Sequence, residues 1–197
     1  MLGVAHDDRL LTDDEVAKFS SLVIRRSQFE PLAYILGRKE FYGRNFTVNA
    51  HVLIPRPETE TLIEEVISWA KEKKEPLRIL DIGTGSGCIL LTLLSEFDRL
   101  ELENNHTGVG IDISKKAIGV AQYNRDKFQS SGADFIEADM SFWEPGERFD
   151  IIVSNPPYIP TKDLETLSPD ILNYEPRLAL DWGSSGIEYY EMLVEYF

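Results

Sequence analysis

Short apolar runs alternate with longer segments of helical periodicity through the second half of the chain. The apolar runs predict strands at 78–82, 108–113, 134–138 and 149–154. The longer segments predict helices at 87–97 and 114–128, with Ser114 as the N-cap of the second helix. Strands that alternate with helices form parallel βαβ units with right-handed crossovers. We therefore expect a Rossmann-like α/β fold, with a mostly parallel sheet and helices on both faces.

The first third of the chain carries a different pattern. A helix is predicted from the N-cap Thr12 to about Arg26, with acids in its first turn and arginines in its last. A β-hairpin is predicted around a turn at 43–45, where glycine and asparagine interrupt apolar positions. Pro57 favours a helix start, and we expect this second helix to run to about Lys73. A short helix and a hairpin should thus precede the parallel sheet.

Composition and charge narrow the class of protein. The 197 residues suffice for one large domain, no run reaches the ~20 apolar residues of a membrane span, and the acidic start does not resemble a signal peptide. The net charge of −14 repels phosphate backbones, so we expect no direct nucleic-acid partner. A single cysteine, Cys88, is consistent with a cytoplasmic location. His6, His51 and His106 lack the spacing of metal ligands, so we expect no metal site.

Glycines and acids follow the first three predicted strands at the points where these strands end. Gly83, Gly85 and Gly87 allow a tight turn after the first strand and close approach of a ligand to the backbone. Asp112, at the end of the second strand, can accept hydrogen bonds from both hydroxyls of a ribose. Asp139-Met140, after the third strand, can bind an adenine by hydrogen bond and apolar contact. The ordered set predicts a nucleoside ligand.

The fourth predicted strand is followed by Asn155-Pro156-Pro157-Tyr158. Proline fixes φ and lacks a backbone donor, so this loop is stiff and its carbonyls remain acceptors beside the Asn155 side-chain carbonyl. Such a site suits a planar NH2 group, which has two donors to satisfy, and Tyr158 can stack on its flat face. Because ligands bind beyond the carboxyl ends of parallel strands, we expect this tetrapeptide to lie at the reaction centre.

The ordered set of motifs resembles the class I S-adenosylmethionine-dependent methyltransferases, and Asn-Pro-Pro-Tyr is similar to the loop of the branch that methylates planar nitrogen. Residues 31–43 and 52–60, the latter containing Ile-Pro-Arg-Pro-Glu-Thr-Glu, resemble the signature of the HemK/PrmC family. Glu175-Pro176 with Ala179-Leu180 is similar to the same family's substrate-side segment. The resemblance implies methyl transfer from S-adenosylmethionine to the glutamine amide nitrogen in the Gly-Gly-Gln motif of peptide chain release factors. A release factor would then be the protein partner.

The resemblance also implies roles for individual residues. Asn155, Pro156 and Tyr158 would be catalytic, with Asn155 and the Pro156 carbonyl accepting the two N–H bonds of the glutamine amide. The implied cofactor-binding residues are Asp81, Gly83, Thr84, Gly85, Ser86, Gly87, Asp112, Asp139, Met140 and Asn155. The implied substrate-binding residues are Pro55, Arg56, Glu58, Asn155, Pro156, Pro157 and Tyr158.

The resemblance divides the chain into three parts. Residues 1–30 are expected to be the remnant of a helical N-terminal region, 31–60 a hairpin and linker with the substrate-side signature, and 61–197 the S-adenosylmethionine-binding domain. Members of the family carry a longer N-terminal domain and further strands after the helix that contains Tyr189-Tyr190. The chain is therefore expected to be truncated at both ends, which leaves the strand at 149–154 without its usual neighbour.

Three other functions fit parts of the pattern. An adenine or guanine N-methyltransferase of DNA or RNA would use the same Asn155 loop on a flipped base, although the acidic charge disfavours it. A truncated, non-catalytic module would bind a nucleoside or a partner without turnover. A nicotinamide-dependent oxidoreductase is disfavoured by the glycine spacing, which is G-x-G-x-G in place of G-x-G-x-x-G.

Overall fold

The computed structural model describes residues 9–102, 105–183 and Leu193, which contain two β-sheets. The strands are β1 Arg38–Phe41, β2 Arg44–Thr47, β3 Arg78–Ile82, β4 Thr107–Asp112, β5 Ala133–Glu137 and β6 Ile151–Ser154. β1 and β2 pair as an antiparallel hairpin, whereas the other four strands form a parallel sheet in the order β5-β4-β3-β6. The predicted α/β fold, with a parallel sheet preceded by a helix and a hairpin, is confirmed.

The register of the parallel sheet brings the carboxyl ends of its strands to one edge. Ile82, at the end of β3, pairs with Ile111 on β4 and with Ser154 on β6. Asp112 pairs with Glu137 at the end of β5. The loops that follow the four strands therefore start side by side, at the edge where open α/β sheets bind their ligands.

The described residues form six α-helices and three short 3-10 turns. The α-helices are α1 Asp13–Ser27, α2 Leu32–Leu36, α3 Glu60–Ala70, α4 Cys88–Arg99, α5 Lys115–Phe128 and α6 Pro169–Tyr174. The 3-10 turns span Pro57–Thr59, Thr161–Thr166 and Arg177–Ala179. No helix of the described chain combines the length and the apolar character needed to cross a membrane.

Apolar side chains cover both faces of the parallel sheet. On one face, Ile79 and Ile151 pack with the buried residues of α3, α4 and α5. Because α4 contacts both the sheet and α3, nine of its twelve residues are buried. On the opposite face, Leu80 and Ile111 pack with Trp143 and with the helical residue Leu193. Burial on both faces explains why the central strand β3 reads as an apolar run.

Asn124 on α5 ties the hairpin to the parallel sheet. Its Nδ2 donates to the carbonyl of Thr47 at 3.0 Å and to the carbonyl of Ser86 at 2.9 Å. Its Oδ1 accepts the Thr47 N–H at 2.8 Å. The side chain is fully buried, so all three hydrogen bonds are needed to offset the loss of water. One amide thus holds β2, α5 and the loop after β3 together.

The hairpin turn differs from the prediction. The strands were expected to flank 43–45, but the turn residues are Tyr42 and Gly43, and Asn45 lies within β2. Both turn residues are left-handed, with φ of 49° and 72°. A two-residue turn with positive φ at both residues matches the twist of the adjoining strands. Glycine adopts positive φ without steric cost.

Helix boundaries also needed correction. The helix expected from Pro57 to about Lys73 starts as the Pro57–Thr59 turn, and its α-helical part ends at Ala70. α2 and α6 were not predicted, because elements of five and six residues are too short to show a helical period. The remaining strands and helices start and end within about two residues of their predicted bounds, and 78–82 is unchanged. The predicted helix at Tyr189-Tyr190 lies outside the described residues.

Candidate active site

A cavity of about 360 Å³ opens at the carboxyl edge of the parallel sheet. Its wall includes residues from the loops after all four parallel strands and from the segment that precedes α3. The predicted site residues that line it are Pro55, Gly83, Thr84, Gly85, Ser86, Asp112, Asp139, Met140, Asn155, Pro156 and Pro157. The fold therefore brings most of the predicted site together, although the roles of these residues remain predictions.

Five predicted site residues do not line this cavity. Asp81 and Gly87 lie in the protein interior around the loop after β3, and Asp81 has no exposed surface. Arg56, Glu58 and Tyr158 line an adjoining cleft of about 320 Å³. The sequence alone could not separate the residues of the cavity from those of the cleft and the interior, because their location depends on which side of each loop faces the core.

The three glycines of the loop after β3 serve two different purposes. All are left-handed, with φ of 71° at Gly83, 56° at Gly85 and 77° at Gly87. A Cβ added at Gly83 would meet no atom within 4 Å, so this position faces open space. A Cβ at Gly87 would lie 2.9 Å from the ring of Phe135. Gly83 and Gly85 thus leave room for a ligand, whereas Gly87 allows the loop to pack on the sheet.

Asp81 supports the glycine loop from below. Its Oδ2 accepts a hydrogen bond from the Thr84 hydroxyl at 2.7 Å, and both side chains are buried. Burial raises the pKa of Asp81 to about 7, and the charge of Asp112 acts in the same direction, while the Thr84 hydrogen bond opposes them. Asp81 therefore titrates near neutral pH, in contrast to an ordinary aspartate.

Asp112 fixes two turns at once. Its Oδ2 accepts the Gly85 N–H at 3.0 Å, and its Oδ1 accepts the Ser114 N–H at 2.9 Å. Burial raises the pKa of this carboxyl group, while the two N–H groups lower it. A carboxylate has about four lone-pair sites, so Asp112 can still accept hydrogen bonds from a ligand in the cavity.

The loop after β5 contributes one polar and one apolar group to the cavity. Asp139 is half-buried and accepts the Ser141 N–H at 2.9 Å. Met140 is 8% exposed and packs with Leu80 and Ile111 on one face of the sheet. Met140 is therefore both a core residue and part of the cavity wall.

Asn155 stands where the cavity and the adjoining cleft meet, because it lines both of them. Its Nδ2 donates to the Thr59 hydroxyl at 3.3 Å. The preceding residue, Ser154, is held by a 2.8 Å hydrogen bond from its hydroxyl to the Ile82 carbonyl. Tyr158, at the other end of the loop, is 60% exposed and lines the cleft. The Asn155 loop thus presents a carboxamide to the cavity and an aromatic ring to solvent.

Arg56 is held by an acid from a distant segment. Its Nη2 lies 2.6 Å from Glu175 Oε1, and the Glu175 side chain is only 1% exposed. Glu175 Oε2 also accepts the Ile54 N–H at 3.2 Å. The ion pair therefore fixes the segment before α3 against the segment that follows α6. This second segment also lines the cavity through Pro176, Leu178 and Ala179.

Some residues of the site were not recognised in the sequence. Thr59 lines both the cavity and the cleft, and His51, Val52 and Leu53 line the cavity. All four lie within or next to the segment 52–60, so their position in that signature was the available signal. Asn124 carried no signal, since a single asparagine in a helical pattern is usually exposed.

The polar groups of the cavity suit a nucleoside ligand and a planar nitrogen. Gly83 and Gly85 leave space beside the backbone, and Asp112 supplies acceptors for hydroxyl groups. Across the cavity, Asn155 supplies a carboxamide next to the backbone carbonyl of Pro156. The nitrogen of Pro156 carries no hydrogen, so this residue offers an acceptor and no donor. Within residues 9–102, 105–183 and Leu193, no group of three potential ligand side chains is arranged to hold a metal ion.

Comparison with known proteins agrees with this fold. Residues 73–180 match the family described as Methyltransferase domain, and residues 3–37 match the PrmC N-terminal domain. A crystal structure of a SAM-dependent methyltransferase from Agrobacterium tumefaciens aligns with a TM-score of 0.50 over 62% of this chain and 40% of that chain. Its sequence is 22% identical, so this likeness supports the fold alone.

Curated relatives are more similar in sequence. A protein of Geobacter sulfurreducens named release factor glutamine methyltransferase is 44% identical over 95% of this chain. A protein of the same name from Bacillus anthracis is 39% identical over 94% of this chain. The chain spans 62% and 64% of the lengths of these two relatives.

The fold is thus that of the class I methyltransferases, and the match of more than half of the chain shows that it belongs to the methyltransferase-domain family. The N-terminal match and the curated relatives are specific to one branch of that family. These matches agree with the resemblance to the HemK/PrmC family that the motifs predicted.

Proposed function

We propose that this protein transfers a methyl group from S-adenosylmethionine to the side-chain amide nitrogen of the glutamine in the Gly-Gly-Gln motif of a peptide chain release factor. The observation that carries the proposal is the position of Asn155, which lines both the cavity beside the glycine loop and the cleft with Tyr158. A methyl donor in the cavity and an amide entering through the cleft would meet there. The names of the relatives support the choice of substrate.

The cavity fits the proposed cofactor. Gly83 and Gly85 leave open space for a ligand against the backbone, and Asp112 would accept hydrogen bonds from the ribose hydroxyls. Asp139 and Met140 would bind the adenine, the acid by hydrogen bond and the methionine by apolar contact. Asp81 and Gly87 would not contact the cofactor and would instead stabilise the conformation of the glycine loop from the protein interior. When bound, S-adenosylmethionine would supply a sulfonium methyl group. Transfer would break its S–C bond, and the glutamine nitrogen would gain an N–C bond and lose a proton to solvent.

The chain's own contribution to the reaction would be alignment. An amide nitrogen is a poor nucleophile, because its lone pair is delocalised into the carbonyl group. Asn155 Oδ1 and the Pro156 carbonyl would accept hydrogen bonds from the two N–H groups and aim the nitrogen at the methyl group. Tyr158 would lie on the amide plane and exclude water. The two prolines keep both acceptors in place without reorganisation, because they restrict the backbone.

Arg56, Glu58 and Pro55 would contact the substrate peptide around the glutamine. Arg56 and Glu58 line the cleft, and Pro55 lines the cavity. A release factor substrate implies a cytoplasmic location, where translation ends. The net charge of −14 supports a protein substrate over a nucleic acid, because a strongly acidic surface repels phosphate groups.

The test uses methyl-labelled S-adenosylmethionine with three substrates: a purified release factor, the same factor with its Gly-Gly-Gln glutamine changed to alanine, and a mixture of DNA and RNA oligonucleotides. We expect label on the unchanged factor alone. Equal label on both factors would contradict the glutamine target, and label on neither would contradict the proposed activity for this chain. Label on the oligonucleotides would favour the base methyltransferase.

A further inference from the structure

Thr59 occupies the boundary between the cavity and the adjoining cleft. It is the last residue of the 3-10 turn Pro57–Thr59 and directly precedes α3. Its backbone N–H donates to the Arg56 carbonyl at 3.1 Å, which fixes its position. The residue is half-buried and lines both spaces, a property that it shares with Ser154 and Asn155.

The Thr59 hydroxyl contacts the Asn155 side chain directly. Asn155 Nδ2 donates to Thr59 Oγ1 at 3.3 Å, across 96 positions of sequence. Within the described residues, this is the one hydrogen bond made by the Asn155 carboxamide. The bond engages the donor end of the carboxamide and leaves Oδ1, at the other end, available as an acceptor.

The orientation of this carboxamide decides what it can bind. A planar NH2 group presents donors, so it pairs with Oδ1 and is repelled by the Nδ2 hydrogens. A carboxamide rotated by half a turn would present donors to donors and would lose the bond that aligns the substrate. On the premise of the proposed function, in which Asn155 receives the glutamine amide, we propose that Thr59 is a positioning residue that holds the Asn155 carboxamide with Oδ1 available to the substrate.

This role also bears on selectivity. A glutamine amide donates to Oδ1, whereas a glutamate carboxylate only accepts and would pair with the opposite orientation. In the observed orientation the Thr59 hydroxyl accepts from Nδ2, so Oδ1 is the end that is available to the substrate, which suits glutamine.

The test compares three variants with the wild-type chain. Thr59→Val keeps the shape of the side chain and removes the hydroxyl, Thr59→Ser keeps the hydroxyl, and Thr61→Val makes the same chemical change at an exposed position of α3. For Thr59→Val we expect kcat for release factor methylation to fall roughly 10- to 100-fold, because a misoriented acceptor misplaces the nitrogen. KM for the release factor and Kd for S-adenosylmethionine should change less than about threefold. Thr59→Ser should retain most of the wild-type kcat, and Thr61→Val all of it.

A second measurement does not depend on activity. The side-chain NH2 signals of Asn155 in a 15N-labelled sample are identified by their loss in Asn155→Ala, and their hydrogen exchange is compared among the variants. We expect faster exchange in Thr59→Val and unchanged exchange in Thr61→Val, since only the first loses the acceptor of Nδ2.

The outcomes separate this inference from the proposed function. Wild-type kcat in Thr59→Val, or equal losses in the Val and Ser variants, would overturn the positioning role. An unchanged Asn155 signal in Thr59→Val would also overturn it. A wild-type chain that labels no release factor, yet whose Asn155 signal responds to Thr59→Val as expected, would reject the proposed function and keep the contact.

Discussion

On the side of the cavity formed by the glycine loop, Asp81 is fully buried and Asp112 holds two backbone N–H groups with one carboxylate. On the opposite side, Tyr158 is 60% exposed, and the Asn155 carboxamide makes its one hydrogen bond within the described chain to Thr59. The first side is thus fixed by buried polar contacts and close packing. The second side is fixed by stiff prolines and very few contacts.

This difference corresponds to what each side is proposed to bind. A small cofactor with constant shape gains affinity from a wall that is already arranged before it binds. A loop of a protein substrate needs an open approach, which requires that the groups receiving it stay accessible. Changes on the buried side should therefore affect binding and stability, whereas changes on the exposed side should affect turnover.

The largest effect is expected from Asn155→Ala. Removal of the carboxamide takes away one of the two proposed acceptors for the glutamine N–H groups, so the rate of methyl transfer should fall about 100-fold or more. Cofactor affinity, measured by calorimetry, should stay within about threefold because the glycine loop and Asp112 are unchanged. Asn45→Ala, at an exposed position of the hairpin, is the matched control. Near-normal turnover in Asn155→Ala would contradict the assignment.

A smaller effect on a different quantity is expected from Asp112→Ala. The variant loses the proposed ribose acceptors and leaves the Gly85 and Ser114 N–H groups without their partner. S-adenosylmethionine should bind roughly 10- to 100-fold more weakly, which corresponds to about 1.4–2.7 kcal/mol. Asp134→Ala, at an exposed position of β5, should bind the cofactor like the wild type. Wild-type affinity in Asp112→Ala would reject its role in the cavity.

The smallest effect is expected from Asp81→Asn, and it concerns stability. The folded state holds the Asp81 pKa at about 7, above its ordinary value of 3.8, so the folded chain binds this proton more tightly than the unfolded chain. The contribution of Asp81 to stability is therefore greatest at acid pH and declines as the pH rises from about 4 to about 7. An asparagine stays neutral and can still accept the Thr84 hydroxyl.

Thermal unfolding at pH 5 and at pH 8 measures this effect. We expect Asp81→Asn to be more stable than the wild type at pH 8, by on the order of 1 kcal/mol, with a smaller difference at pH 5. Asp134→Asn, which changes an exposed acid, should show no such pH-dependent gain. Equal destabilisation by Asp81→Asn at both pH values would show that the buried group is not ionised in the folded wild type at pH 8.

The sequence predicted the central strand β3 well because that strand is buried on both faces. A strand in that position needs apolar residues throughout, and the run at 78–82 has the same bounds in sequence and structure. The hairpin was predicted less accurately. Its turn consists of Tyr42 and Gly43, which have positive φ, whereas Asn45 belongs to the second strand. α2 and α6 had no periodic signal to detect.

The candidate site was predicted in part for a similar reason. Glycines and acids that follow parallel strands meet at one edge of the sheet, and the register that pairs Ile82 with Ile111 and Ser154 brings them together. The sequence did not separate Gly83 from Gly87, although one faces the cavity and the other packs on Phe135. Which side of a loop is buried depends on the neighbouring elements.

By itself, the sequence determined the α/β fold and the order of the motifs, because periodicity and loop chemistry are local properties of the chain. Only the tertiary structure decided that Asn155 contacts Thr59 across 96 positions, and that Arg56 pairs with Glu175 across 119. It also decided that Asn124 links the hairpin to the glycine loop. Such contacts depend on how separate elements pack, and a local pattern does not encode the distance between them.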